Sequence, residues 1–161
     1  MPFDDRAFRK ALGCFASGVT VITTLDAAQR PVGVTVSAFS SLSLDPPMVL
    51  FCLGKSTSNL EAFRQGPVSI SILAEGQQDL SIRFASRGVD KFAGLEMDTA
   101  PGGVPAPKDV LARLDCVITQ TIEGGDHLIV LCAVEDLITR TGGQPLVYFR
   151  GSYTQVGVLP V

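Results

Sequence analysis

The stretch Gly33–Leu53, GVTVSAFSSLSLDPPMVLFCL, constrains the fold more than any other part of the chain. Its first half alternates. Val34, Val36, Ala38, Leu42 and Leu44 take one parity, interrupted by Ser40. Thr35, Ser37, Ser41 and Ser43 take the other, with Phe39 among them. Successive side chains of a strand point to opposite faces. One face is therefore apolar and the other carries a row of hydroxyls. Asp45-Pro46-Pro47 ends this strand, because proline lacks the N–H that a sheet interior needs. Met48–Leu53 then runs apolar without alternation, the pattern of a strand buried on both faces. The hydroxyl row has two readings. It faces water on the open side of an antiparallel sheet, or it faces a ligand. Hydroxyls donate and accept, which suits a heterocycle with alternating C=O and N–H groups.

The 161 residues suit one domain, 1–161, with a sizeable core. Apolar residues make up 46%, so the chain is globular. The net charge of −3 comes with no basic block, which excludes the footprint of a nucleic-acid binder. The N-terminal MPFDDRAFRK is charged and has no apolar signal region. No apolar run approaches the roughly 20 residues of a membrane span. A cytoplasmic protein with no membrane partner is expected. Cys14, Cys52, Cys116 and Cys132 form no C-x-x-C and sit among apolar neighbours, so they read as buried free thiols. His127 is the single histidine, which excludes a multi-histidine metal site in one chain, and no metal is expected. There is no G-x-S-x-G, no G-x-x-x-x-G-K-[ST] and no G-x-G-x-x-G.

In chain order, Asp4–Ala16 reads as a helix ended by Gly18, with Phe8, Leu12 and Phe15 at helical spacing. Thr20–Leu25 is β-branched and reads as a strand, turning at Asp26–Pro31 into a hairpin with the stretch above. Ser58 and Glu61 match a capping box in front of a helix. With Lys55, Ser56, Thr57 and Asn59 beside it, that end is either a plain cap or a phosphate site at a helix N-terminus. Val68–Leu73 reads as a strand and Gln77–Ala85 as a helix. Residues 86–109, rich in glycine and proline, read as a long loop. Cys116–Glu123 and Leu128–Leu137 form a hairpin across Gly124-Gly125-Asp126-His127, and Leu146–Tyr153 is a final strand after a turn at Thr141–Pro145. Many short strands with few helices point to a closed or sandwiched antiparallel sheet.

Five segments share an order and approximate spacing with a known family: FASGVTVITT at 15–24, GVTVSAFSSLSLDPP from 33, KSTSN at 55–59, GDH at 125–127 and PLVYFRGSY at 145–153. Together they resemble the flavin reductase-like family, the short-chain NAD(P)H:flavin reductase components of two-component flavin monooxygenases. The resemblance covers most of the chain. It implies a mainly β fold, a split β-barrel of Greek-key, FMN-binding type with a few peripheral helices. It also implies a homodimer with flavin near the interface. The implied reaction is hydride transfer from NADH or NADPH to FAD or FMN, and the implied partner is a separate monooxygenase fed by diffusible reduced flavin.

By the same resemblance, Thr35, Val36, Ser37 and Ala38 line the flavin ring, Ser41, Ser43 and Cys52 lie close, and Ser56, Thr57, Ser58 and Asn59 hold phosphate. Arg83 and Phe84 match a flavin-touching position. His127 matches a nicotinamide contact and is the catalytic candidate, as a positioning group. Tyr148, Phe149, Arg150, Gly151 and Tyr153 match the strand that borders the nucleotide, with Arg150 suited to phosphate or ribose. The lack of an evident arginine cluster in the sequence leans toward NADH. Two other functions compete. One is a flavin-bound reductase of another acceptor, such as a corrinoid or a ferric complex. The other is a flavin-binding interaction module without turnover, against which the GDH and closing-strand segments argue. Mean hydropathy of +0.33 in a short chain adds to the expectation of a homodimer.

Overall fold

The computed structural model describes residues 2–157. Helix α1 (Asp5–Leu12) and the short strand β1 (Ser17–Gly18) lead into β2 (Thr20–Leu25), β3 (Pro31–Val36), β4 (Phe39–Leu44), β5 (Pro47–Gly54) and β6 (Gly66–Ile72). Helix α2 (Gln78–Ala85) and the hairpin β7 (Met97–Ala100) and β8 (Val104–Pro107) follow. The long hairpin β9 (Ala112–Gly124) and β10 (His127–Thr139) and the short β11 (Val147–Phe149) and β12 (Ser152–Thr154) complete the order.

Seven strands form one sheet in the order β3-β2-β6-β9-β10-β5-β4, every neighbouring pair antiparallel. Its two edges, β3 and β4, are joined by Ser37-Ala38 alone. Consecutive Cα atoms are about 3.8 Å apart, so the link from Val36 to Phe39 reaches no farther than about 11 Å. The edges therefore stand side by side, and the sheet is a barrel split between β3 and β4. The Cys52 N–H donates to the Ala38 carbonyl at 2.9 Å, which carries the β4–β5 pairing one residue back toward β3. The alternating half of the sequence stretch is thus two strands on opposite lips of the split, with the break at Ser37-Ala38.

The barrel interior is filled by alternate residues. Val49, Phe51 and Leu53 of β5 face inward with Leu128, Val130 and Cys132 of β10. Phe63, from a short 3₁₀ turn at Leu60–Phe63, packs in the same cluster and is fully buried. A second cluster under α2 joins Val19, Val21, Leu73, Phe84 and Leu146. β2 is covered on both sides: Ile22 points into the barrel cluster and Val21 into the second.

Several expectations change. The first helix stops at Leu12, where the i→i−4 pattern gives way to i→i−3 bonds from the Cys14 N–H to the Ala11 carbonyl at 3.1 Å and from the Phe15 N–H to the Leu12 carbonyl at 3.0 Å. Phe8, Leu12 and Phe15 are exposed, Phe15 at 81%. Ser58 and Glu61 form no capping box. Asn59 sits before the 3₁₀ turn with φ 58° and makes no side-chain cap bond, and Glu61 pairs with Arg64 instead. The helix expected there is a single 3₁₀ turn, Leu60–Phe63. The loop 86–109 contains the β7–β8 hairpin, whose Ala100, Val104 and Ala106 form a small buried cluster. The final strand is a hairpin turned at Arg150-Gly151, both with positive φ. Met48, Leu50 and Cys52 are half-buried, so β5 is covered fully on one face only. Cys14 is exposed, whereas Cys116 and Cys132 are buried; none of the four is in a disulfide.

Candidate functional site

A groove of about 760 Å³ opens beside the split. Six of the residues singled out in the sequence line it: Ser37, Ala38, Cys52, Tyr148, Arg150 and Gly151. Cys52 faces the groove because Phe51 and Leu53 on either side of it fill the core. Burial pushes its thiol up from the ordinary value. Ser37 and Ala38 stand outside both ladders, since β2–β3 pairing ends at Val36 and β4–β5 pairing starts at Phe39. The Ser37 carbonyl accepts the Phe39 N–H at 3.0 Å and the Ala38 carbonyl accepts the Cys52 N–H, so the Ser37 hydroxyl is the polar side chain this link brings to the groove wall. Phe15, Phe39 and Leu50 add apolar wall, and Tyr148 comes from β11, which pairs with β1 through Ser17.

Farther along β5, the chain leaves the barrel at Gly54. A Cβ there would stand 3.7 Å from His127 Nε2 and 3.9 Å from Ser56 Oγ, so both side chains border the bare glycine. His127 opens β10 directly opposite Gly54. Its Nδ1 is 2.8 Å from Asp126 Oδ1, and this contact holds the Asp126 carboxyl below its usual range. Ser56 accepts from Arg87 Nη2 at 3.2 Å through both its hydroxyl and its carbonyl. Ser58 and Asn59 line an adjoining recess of about 300 Å³ with Arg87 and Lys91. Lys91 Nζ donates to the carbonyls of Gly33 at 2.9 Å and Phe84 at 2.8 Å, and burial lowers its pKa. An ammonium has three protons, so one is left for the recess. Thr57 donates its N–H to the Gly54 carbonyl, tightening the same turn. Lys55, read as the cation of this end, is instead ion-paired to Glu123 at 2.6 Å.

Other candidates lie elsewhere. The Thr35 hydroxyl donates to the Ser81 carbonyl at 2.5 Å, toward α2, and Val36 is 5% exposed in the barrel core. A bulge between Ser41 and Ser43 makes Leu42 an extra residue, so Ser41 pairs with buried Val49 and Ser43 with Met48 on the other face. The hydroxyl row is broken there, and neither serine lines the groove. Arg83 donates to the carbonyls of Asp90 and Ala93, clipping the loop after α2. Phe84 is fully buried, edge-on to Phe92 at 5.1 Å, and offers a ligand no surface. Phe149 is half-buried beneath the Arg150 guanidinium, 5.0 Å from its ring centre. The Tyr153 hydroxyl meets Ser81 Oγ at 2.7 Å.

Residues 12–157 match the profile of the flavin reductase like domain. The chain belongs to the flavin reductase-like family. It is 42% identical over 154 residues to the reductase subunit HsaB of a flavin-dependent monooxygenase from Rhodococcus jostii, covering 95% of this chain and 78% of that one. A structure of a nitrilotriacetate monooxygenase component B homologue from Mycobacterium thermoresistibile superposes with a TM-score of 0.89 at 38% identity, covering 98% and 91% of the two chains. The NADH:FAD oxidoreductase SgcE6 from Streptomyces globisporus, in complex with NAD and FAD fragments, gives 0.86 at 32% identity over 95% of this chain and 93% of that one. This flavin reductase is therefore an oxidoreductase that uses flavin and a pyridine nucleotide. Its groove suits a flat heterocycle, with apolar walls from Phe15, Phe39 and Leu50 and the hydroxyls of Ser37 and Tyr148. Sequence reasoning missed Ser40, Phe15, Arg87 and Lys91, which line the groove or the recess. The last two were legible only as basic residues in a loop next to α2.

Proposed function

We propose that FAD or FMN lies with its ring in the groove at Ser37, Ala38 and Cys52, and its phosphate in the recess at Ser56, Ser58, Asn59, Arg87 and Lys91. The observation that carries this is that β5 leads from the one toward the other. Cys52 and Gly54 are two apart on one face of β5, and the chain runs from Gly54 straight into Ser56, which Arg87 holds. NADH or NADPH enters over the same groove, with Tyr148 on its wall and His127 farther along, opposite Gly54. Flavin and pyridine nucleotide supply the hydride chemistry between them. The chain's part is to orient the two rings and to exclude water with Phe15, Phe39 and Leu50.

The phosphate contacts are hydroxyls, one arginine and one half-buried lysine, without the glycine-rich cradle of a Rossmann unit. Such holding favours exchange with free flavin, and reduced flavin then leaves for a separate monooxygenase. A cytoplasmic location, where pyridine nucleotides are abundant, goes with this reading. The test places enzyme, NADH and free flavin on one side of a dialysis membrane and cytochrome c on the other, without oxygen. Cytochrome reduction across the membrane is expected. Reduction only on mixing would mean that the flavin stays bound and the acceptor docks, favouring a protein that reduces a corrinoid, a ferric complex or another bound partner.

The same reading includes a homodimer. Among the described residues none of α1 is buried, yet it carries Phe8 and Leu12 on one side and Phe15 lies exposed just beyond its end. An amphipathic helix needs a surface for its apolar stripe, and a second copy supplies one next to the groove. Light scattering at micromolar concentration should return twice the mass of the 17.0 kDa chain.

A further inference from the structure

We propose that Arg6, Arg9, Lys10 and Arg150 form an anion subsite that takes the phosphates of a dinucleotide whose ring lies in the adjoining groove; this rests on the flavin reductase reading of that groove. The four line a hollow of about 660 Å³ together with Gly13, Cys14 and Gly151. It is continuous with the groove, since Arg9, Gly13, Arg150 and Gly151 border both.

The cations come from opposite ends of the chain. At about 3.6 residues per turn, Arg6 and Lys10 fall on one side of α1, away from Phe8 and Leu12. The apolar stripe can then be covered while the basic side stays open. Arg150 is brought over from the last hairpin. Its N–H donates to the Gly13 carbonyl at 2.9 Å, it has φ 50°, and its guanidinium rests on Phe149. None of the four makes an ion pair among the described residues. Among the described residues no carboxylate lines the hollow. Asp4 is engaged in capping at the far end of α1, where it accepts the Ala7 N–H at 2.7 Å.

Arg9 and Lys10 in the last turn of α1 are favoured by the helix dipole. That accounts for neither Arg6 nor Arg150. Four unneutralised cations around one hollow repel one another until a polyanion enters. The ligand must also reach the ring groove next door, which a dinucleotide does and an inorganic ion does not. The cluster was hidden in the sequence because Arg150 lies 140 positions from Lys10. It removes the ground for leaning toward NADH.

The experiment uses the full chain and two variants, Arg6→Gln with Lys10→Gln on the helix surface, and Arg150→Asn, which tolerates the left-handed backbone. ADP binding, followed by calorimetry at low and high salt, reads the subsite without any redox ring. The wild type should bind ADP more weakly as salt rises, and each variant should lose affinity about tenfold as charge-assisted bonds go. The KM values for NADH and NADPH and the affinities for FAD and FMN then separate the sources. A joint rise in both KM values assigns the pyridine nucleotide's diphosphate, and a rise for NADPH alone assigns its 2′-phosphate. Weaker FAD with unchanged FMN assigns the flavin's diphosphate. No ADP binding by the wild type, or unchanged constants in both variants, overturns the proposal. A wild type that binds ADP but oxidises neither NADH nor NADPH leaves the subsite standing and overturns the reductase reading.

Discussion

Ser81 Oγ and the Tyr153 hydroxyl are 2.7 Å apart, which ties helix α2 to the hairpin that forms one wall of the groove. Ser81 is fully buried, and its carbonyl also accepts the Thr35 hydroxyl. Tyr153 packs edge-on against Tyr148, a groove residue, at 5.3 Å. One serine therefore ties β3 and the β11–β12 hairpin to the same turn of α2. It acts through Tyr153 and Tyr148, so it is a positioning residue.

Ser81→Ala leaves a tyrosine hydroxyl without its partner, at a cost of about 1–3 kcal/mol. For a chain of this size that corresponds to a fall in Tm of roughly 2–12 °C. The KM for the pyridine nucleotide should rise as Tyr148 loosens. Tyr153→Phe removes the hydroxyl itself, so the double variant should cost less than the two single changes added together. Additive losses would mean that the two hydroxyls do not interact.

Ser37→Leu should weaken flavin binding with little change in Tm, because Ser37 is exposed on the groove and outside both ladders. A lost hydrogen bond costs on the order of 1 kcal/mol, and the added bulk blocks the ring. Thr35→Val, two residues away, should do the reverse. Its hydroxyl serves Ser81, so stability falls while flavin affinity holds. Fluorescence quenching of added flavin measures both variants. Equal flavin affinity in Ser37→Leu and wild type would remove the ring from this groove.

The contrast between these two residues shows what the sequence could and could not convey. Strand alternation gave Thr35 and Ser37 the same parity, and in a continuous strand they would share a face. The break after Val36 and the bulge at Leu42 come from closing the barrel, a long-range event with no local marker. Hairpins with short turns, β2–β3 and β9–β10, were legible because turn residues and β-branched runs are local signals. Helix α1 was legible in kind but not in burial, since its apolar stripe suits a surface outside its own chain. The phosphate recess was assigned to a helix cap, whereas Arg87 and Lys91 approach the turn from a loop about 30 residues later. Propensity carries no record of such approaches.

His127→Ala should raise the KM for the pyridine nucleotide more than it changes flavin affinity. His127 stands opposite Gly54, beside Ser56, and is exposed, so little stability depends on it. If it only contributes uniform binding, kcat holds while KM rises. If it also aligns the two rings, kcat falls as well. Stopped-flow bleaching of flavin by NADH separates binding from the reductive step. Wild-type values for both constants would leave His127 as a surface residue of the turn.

The thiols provide a test of burial that needs no ligand and a test of the groove that does. Cys116 and Cys132 sit inside the barrel, and burial pushes both up to about 12 from 9.0. Thiolate is the reactive form, so both should be inert to an aromatic disulfide reagent at pH 8. Cys14 is exposed and should react at once, whereas Cys52, half-buried in the groove, should react slowly. Saturating flavin should protect Cys52 and leave Cys14 unchanged, and urea should release the remaining two. The same shift sets a pH dependence. Below 9.0 the two buried thiols are protonated whether the chain is folded or not, so they cost the fold nothing. Between there and about 12 the unfolded chain gives up these protons and the folded one keeps them. Unfolding is then favoured increasingly as pH rises. The urea midpoint should therefore fall from pH 9 toward pH 11, and less steeply in Cys132→Ala. A flat midpoint over that range, or four thiols reacting together in the native protein, would place Cys116 and Cys132 outside a closed core.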